Sequence, residues 1–174
     1  KIEGVVDGGA CSVGVESTIL DLTCEPPRLL RPGGLPLEAL EEVLGEVSVD
    51  KAVREKLSEG EKPRAPGMKY RHYAPQAPVT VFTGEPEKAA NFMTDYVQPG
   101  DGVICFEEFV HLFAQRTDPA LICSLGPAAD KGEQARRVFD ALRKFDHTPA
   151  AAIWAQCPDA SGIGLAIANR LNKA

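Results

Sequence analysis

After Pro78 the sequence settles into a regular alternation of apolar runs and helical stretches, and no other feature restricts the fold as much. Short runs of β-type residues, Val79-Thr80-Val81-Phe82, Gly102-Val103-Ile104-Cys105-Phe106, Ala120 to Ser124 and Ala151 to Ala155, are separated by turns and amphipathic segments. Helices are expected from Pro86 to about Val97, near Phe109 to Ala114, from about Asp130 to Phe145, and from Gly164 to Lys173. Strand, helix, strand, repeated, specifies a parallel sheet with helices on both faces. Residues 78–174 are therefore expected to form a small Rossmann-like domain.

The opening of the chain has a different texture. Gly4-Val5-Val6 precedes the turn Asp7-Gly8-Gly9, Val15 to Leu22 follows, and Arg28-Leu29-Leu30-Arg31 precedes Pro32-Gly33-Gly34. These read as short strands of a mixed sheet. A helix is expected from Pro36 to Leu44, with proline in its first turn, Leu37, Leu40 and Leu44 at helical spacing, and Gly45 as a stop. Residues 1–48 of this kind are too few to close a core alone. Because the first residue is Lys1 and no secretory succession follows it, the chain reads as starting within a longer protein.

Residues 49–77 shift to charge, glycine and proline, the composition of a linker. At their centre stands Ala65-Pro66-Gly67-Met68-Lys69-Tyr70-Arg71-His72-Tyr73-Ala74-Pro75. Residues 63–75 carry Arg64, Lys69 and Arg71 without any acid, while the formal net charge of the whole chain is -6. A basic island between acidic bodies suits a loop that meets an anion, and two tyrosines and a histidine are more than a spacer needs. The acidic balance disfavours nucleic-acid binding over a broad surface.

Cys11, Cys24, Cys105, Cys123 and Cys157 make an odd count without a CxxC pair. That fits neither a disulfide framework nor a zinc site, so a reducing, cytoplasmic setting is expected. The longest apolar stretches fall well short of the roughly 20 residues a spanning helix needs, so a soluble protein without a membrane segment is expected.

The sharpest local signal is Gly14-Val15-Glu16-Ser17-Thr18-Ile19, followed by Arg31 in Leu29-Leu30-Arg31-Pro32-Gly33-Gly34. A serine hydroxyl both donates and accepts, which suits an amino acid's carboxylate or amine. An arginine before a tight turn presents a fixed fork to phosphate. On residue types alone, a strand serine and a solvated arginine remain the alternative. Gly162-Ile163-Gly164 opens a helix, but a dinucleotide fingerprint belongs after the first strand of such a unit rather than the last. His111 and His147 read as surface histidines.

Taken in order, Asp7-Gly8-Gly9, Gly14 to Ile19, Leu30 to Gly34 and Pro66 to Pro75 resemble the C-terminal half of the YrdC-type threonylcarbamoyl-AMP synthases in their long, two-domain form. The closing run Gly162-Ile163-Gly164-Leu165-Ala166-Ile167-Ala168-Asn169-Arg170-Leu171 is similar to that family's C-terminal signature. The resemblance covers nearly the whole chain. It implies an α/β chain made of a C-terminal remnant of a YrdC-like mixed α/β domain, a lid-forming linker and the Rossmann-like domain.

The family joins threonine, bicarbonate and ATP into threonylcarbamoyl-AMP with release of pyrophosphate, and a second machinery moves the threonylcarbamoyl group to tRNA. By this resemblance Ser17 contacts threonine, and Arg31, with Tyr70 and Tyr73, contacts ATP. Lys69, Arg71 and His72 are lid candidates over the pocket mouth. ATP is a substrate, Mg2+ is expected with it, and neither an organic cofactor nor a protein metal site is expected. No nucleophile is assigned, because a transfer of this type depends on positioning and charge neutralisation. The upstream portion of the family's catalytic domain is not in this sequence, so the 174 residues alone are expected to be inactive. The last domain is expected to steady the closed linker and to mediate self-association or partner contact, and direct tRNA binding is disfavoured by the acidic balance. The rival expectation is a non-catalytic module that senses a nucleotide or docks a partner.

Overall fold

In the first stretch of chain, strands form only where a partner strand lies alongside. The computed structural model describes residues 2–54 and 74–174. Here β1 (Ile19–Asp21) pairs antiparallel with β2 (Arg28–Arg31), and after α1 (Leu37–Leu44) the short β3 (Ser48–Val49) pairs parallel with β2. The result is a three-stranded mixed sheet in the order β1-β2-β3. Leu29 and Leu30 of β2 are buried, and Leu30 packs with Ala52 and Ile19. Ala52 lies on α2 (Lys51–Arg54), a single turn at the start of the stretch whose composition reads as linker.

Two expectations for this region need correcting. Gly4-Val5-Val6 is not a strand: it has no neighbour to pair with among the described residues, and Val6 is 98% exposed. The strand expected from Val15 to Leu22 shrinks to β1: Glu16 and Thr18 bond to Gly34 and Leu35 in place of a ladder, and a register irregularity between Ile19 and Leu20 interrupts the pairing that remains. α1 runs as expected from its proline cap to Gly45, whose N–H donates to Glu41 O at 2.9 Å. None of its residues is buried, and Val43 is 83% exposed. Most of the large apolar side chains left in water lie in residues 2–44.

The second sheet is wholly parallel. Its strands β4 (Val79–Phe82), β5 (Gly102–Cys105), β6 (Ile122–Ser124) and β7 (Ile153–Gln156) stand in the order β4-β7-β5-β6. The intervening helices are α3 (Pro86–Met93), α4 (Val110–Phe113), α5 (Lys131–Lys144) and α6 (Gly164–Lys173). The period of two along β5 divides them between the faces. Val103 and Cys105 pack with Ala90, Met93 and Phe113 of α3 and α4, while Ile104 packs with Leu142 and Ile167 of α5 and α6. Each fully buried aliphatic side chain of this core contributes about 1.5–3 kcal/mol.

Side chains set the ends of these elements. Glu85 accepts from the N–H groups of Glu87 and Lys88 to start α3, and Asp130 accepts from Glu133 N to start α5. Asp118 caps a 3-10 turn at Pro119–Leu121, which delays β6 to Ile122. Gln156, without exposed surface, links the sheet to both sides: its Oε1 accepts from Phe106 N and its Nε2 donates to Pro86 O. Among the described residues no helix is long and apolar enough to cross a membrane.

Candidate functional site

Ser17 and Arg31, fourteen residues apart in sequence, meet beside the start of the first sheet. The Arg31 guanidinium donates from Nε to Ser17 O at 3.0 Å and from Nη2 to Ser17 Oγ at 3.1 Å. Ser17 is exposed and Arg31 half-buried, so a hydroxyl and a fixed guanidinium face the same solvent-accessible edge. Two bonds to one residue hold the guanidinium plane, the state in which arginine best receives a planar or tetrahedral anion.

The backbone around them is closely packed. Gly34 N donates to Glu16 O at 3.3 Å, Thr18 Oγ1 donates to Leu35 O at 2.8 Å, and Leu35 N donates back to Thr18 Oγ1 at 3.1 Å. Residues 16–18 are thereby zipped to residues 33–35. Gly33 fits between them because it has no side chain: a Cβ there would stand 2.5 Å from Thr18 N and 2.6 Å from Ser17 C.

Glu16, next to Ser17, forms an ion pair with Arg170 of α6 at 2.6 Å. Burial alone would raise its carboxyl, but the charge of Arg170, hydrogen bonds from backbone and Arg170, and the charge of Arg31 outweigh it and hold it below 4.5. Folding thus favours the ionised carboxylate. Its stabilisation is complete above the unfolded value of 4.5 and is lost as pH falls through the lower folded value. Thermal melts of the chain and of Glu16→Gln are therefore expected to differ at neutral pH. The difference should close only below about pH 4.5; a constant gap down to about pH 3 would contradict the pair's contribution.

The glycine-rich start of α6 has a structural explanation. A Cβ on Gly164 would collide with the Asp159 carbonyl oxygen, so glycine allows the turn to close. Lys131 Nζ closes the same turn through Asp159 Oδ1 and Ser161 Oγ, both at 2.7 Å. The Gly162 N–H is already taken by Glu38 Oε1 from α1 at 3.0 Å, and that bond is the main reason the Glu38 carboxyl is lowered. A groove of about 370 Å³ lined by Cys123, Arg137, Asp140 and Lys144 lies between β6 and α5 and includes neither Ser17 nor Arg31. All five cysteines are free; burial pushes the Cys105 and Cys157 thiols up to about 12, far from the range of a nucleophile.

Of the residues singled out from sequence, the fold brings Ser17 and Arg31 together. Lys69, Tyr70, Arg71, His72 and Tyr73 lie outside the described residues. Glu16, Thr18 and Arg170 stand within the motifs, but sequence reasoning does not single them out. For Glu16 and Thr18 the available signal is adjacency to Ser17; for Arg170 there is none, since its acidic partner stands 154 positions away. Among the described residues no group of three His, Cys, Asp or Glu side chains could hold a metal ion.

Comparison with known proteins gives a consistent pattern. Residues 35–174 match the family model described as threonylcarbamoyl-AMP synthase, C-terminal domain. The whole chain is 41% identical over 176 residues to a threonylcarbamoyl-AMP synthase of Bacillus subtilis, covering 49% of that protein. It is 43% identical over 180 residues to one of Pyrococcus abyssi, again covering 49% of it. A crystal structure of Pyrococcus abyssi Sua5 complexed with L-threonine superposes on 97% of the chain with a TM-score of 0.72 at 40% identity, and 48% of that structure is covered. The chain spans about half the length of the curated relatives it matches.

Proposed function

Because this chain belongs to the threonylcarbamoyl-AMP synthase C-terminal-domain family, we propose that it serves as the C-terminal part of an L-threonylcarbamoyladenylate synthase. Such a nucleotidyltransferase joins L-threonine, bicarbonate and ATP, releasing pyrophosphate and water, in the service of tRNA threonylcarbamoyladenosine formation. The observation that carries the reading is the direct bond of 3.1 Å between the Arg31 guanidinium and the Ser17 hydroxyl. It joins a group suited to phosphate with one suited to an amino acid at a single accessible edge.

In this reading Ser17 orients threonine and Arg31 binds the nucleotide phosphates. The threonine amine first takes up the bicarbonate carbon with loss of water; an oxygen of the resulting carbamate then attacks the α-phosphorus, and the bond to pyrophosphate breaks. The protein's part is to hold the two reactants in line and to offset developing charge, which is where such transfers gain their rate. Mg2+ would neutralise phosphate charge when bound with ATP; the described residues offer no donor cluster of their own, so no step is assigned to it. Lys69, Tyr70, Arg71, His72 and Tyr73 are proposed to close over the nucleotide, a role their cations and rings suit. The apolar side chains left in water on residues 2–44 support a larger catalytic body around Ser17 than this chain supplies. A cytoplasmic location accords with five free cysteines.

Titration calorimetry of L-threonine into a protein of the relatives' full length carrying this chain tests the substrate assignment. Ser17→Ala is expected to weaken binding by about tenfold, the worth of one hydrogen bond to a charged group. Equal affinity in the two proteins would remove Ser17 from the site.

A further inference from the structure

Arg170 belongs to α6, yet most of what its guanidinium grips lies in the segment that carries Ser17 and Arg31. Nε donates to Glu16 Oε2 at 2.8 Å, and Nη2 lies 2.6 Å from the same oxygen. Nη2 also donates to Pro32 O at 3.3 Å, and Nη1 donates to Asn169 Oδ1 at 2.6 Å. Asn169 in turn donates from Nδ2 to Val53 O at 2.6 Å, which fixes the helix against the end of the first sheet unit. Arg170 is only 8% exposed, so its charge is held away from water by these partners and not by solvent.

The positions of those partners matter more than their number. Glu16 immediately precedes Ser17, and Pro32 immediately follows Arg31. One rigid fork therefore holds two separate chain segments, each one residue away from a proposed ligand of the substrates. A cation that only balanced Glu16 would have no reason to reach the Pro32 carbonyl. A lysine in its place would offer a point charge and could not fix two segments in one plane.

We infer that Arg170 is a positioning residue for the threonine and ATP site, through which the C-terminal unit sets the placement of Ser17 against Arg31. The inference rests on the reading of those two residues given under Proposed function. It gives the last helix a task in catalysis without contact with substrate. A shift of about 1 Å in such a site is enough to cost two orders of magnitude in rate, so a clamp one residue away has leverage.

Two experiments test it together. In this chain, hydrogen exchange is read for residues 12–20 and 28–36 in Glu16→Gln, Arg170→Lys and Arg170→Met. Exchange in those two stretches is expected to quicken about tenfold in Glu16→Gln and Arg170→Met, with β5 and β6 unchanged. In a full-length protein carrying this chain, KM for threonine and kcat are measured for the same variants. KM is expected to rise about tenfold in Glu16→Gln and Arg170→Met and by less in Arg170→Lys, whereas a merely structural loss would lower the active fraction and leave KM alone. If Arg170→Met does not fold, Glu16→Gln and Arg170→Lys decide, since each keeps one side of the pair. Unchanged KM and unchanged exchange in Glu16→Gln would overturn the role of Arg170. An unaltered full-length protein that does not bind threonine would instead overturn the reading of the site on which the inference depends.

Discussion

Gly33→Ala is expected to destabilise the first sheet unit by about 3 kcal/mol, the upper range for forcing extra atoms into a packed region. The new Cβ would meet the Glu16 carbonyl oxygen, Thr18 N at 2.5 Å and Ser17 C at 2.6 Å, all of them backbone atoms that no rotamer change can move aside. To admit it, residues 16–18 must part from residues 33–35, which breaks the Gly34 to Glu16 bond and both bonds between Thr18 and Leu35. The useful control is Gly45→Ala. Alanine there is strained for another reason: the Gly45 φ of 76° with a ψ of -133° lies in a region nearly reserved for glycine, which costs alanine about 1–3 kcal/mol. A methyl group there would meet no atom within 4 Å beyond its chain neighbours, so the bonds between residues 16–18 and 33–35 stay intact. Hydrogen exchange in residues 12–20 and 28–36 compares them: it should quicken in Gly33→Ala and not in Gly45→Ala, and equal exchange in the two variants would contradict the close packing of Gly33 on Ser17.

The second large effect is expected from Arg31→Ala in a protein of the relatives' full length. It removes the proposed phosphate ligand and, in the same step, both bonds that hold Ser17 from the side, at its carbonyl and its hydroxyl. Losing one preorganised donor to developing negative charge costs about 10²–10³ in rate. We therefore expect kcat/KM for ATP to fall at least about a hundredfold. Arg31→Lys should recover little of it, because an ammonium cannot span the Ser17 carbonyl and hydroxyl and a phosphate together. A fall of less than about threefold in both variants would place Arg31 outside the site.

How much of this is legible in the sequence depends on the range of the interaction involved. The parallel sheet is, because its pattern is local: apolar runs such as Val103 to Cys105 are too short for helices and are followed by amphipathic stretches. α6 is legible from end to end, since Ile167 and Leu171 sit one turn apart on its buried face. Gly4-Val5-Val6 looks like the other strands but lacks a partner among the described residues, and pairing cannot be read from a single run. The runs that open at Ala120 and Ala151 become strands only two residues later, at Ile122 and Ile153, where a 3-10 turn and a loop give way to the ladder.

The site divides in the same way. Ser17 and Arg31 stand out because each lies in a compact motif with turn residues at fixed offsets, and the resemblance to a family joins them. Arg170 stands in an equally compact motif, but as a charged residue on an amphipathic helix it resembles part of a wet face. Only its partners identify it, and Glu16 and Pro32 are brought to it by the packing of one sheet unit against α6. A buried arginine is invisible to periodicity until the acid that neutralises it is known.

On the proposed function these residues complete a site where threonine, bicarbonate and ATP react, and pyrophosphate release reads that reaction most directly. A full-length protein carrying this chain is assayed with ATP alone, with each co-substrate omitted in turn, and with all three. Release that requires threonine and bicarbonate together is the predicted result. Release that continues without threonine, or none with all three present, would contradict it.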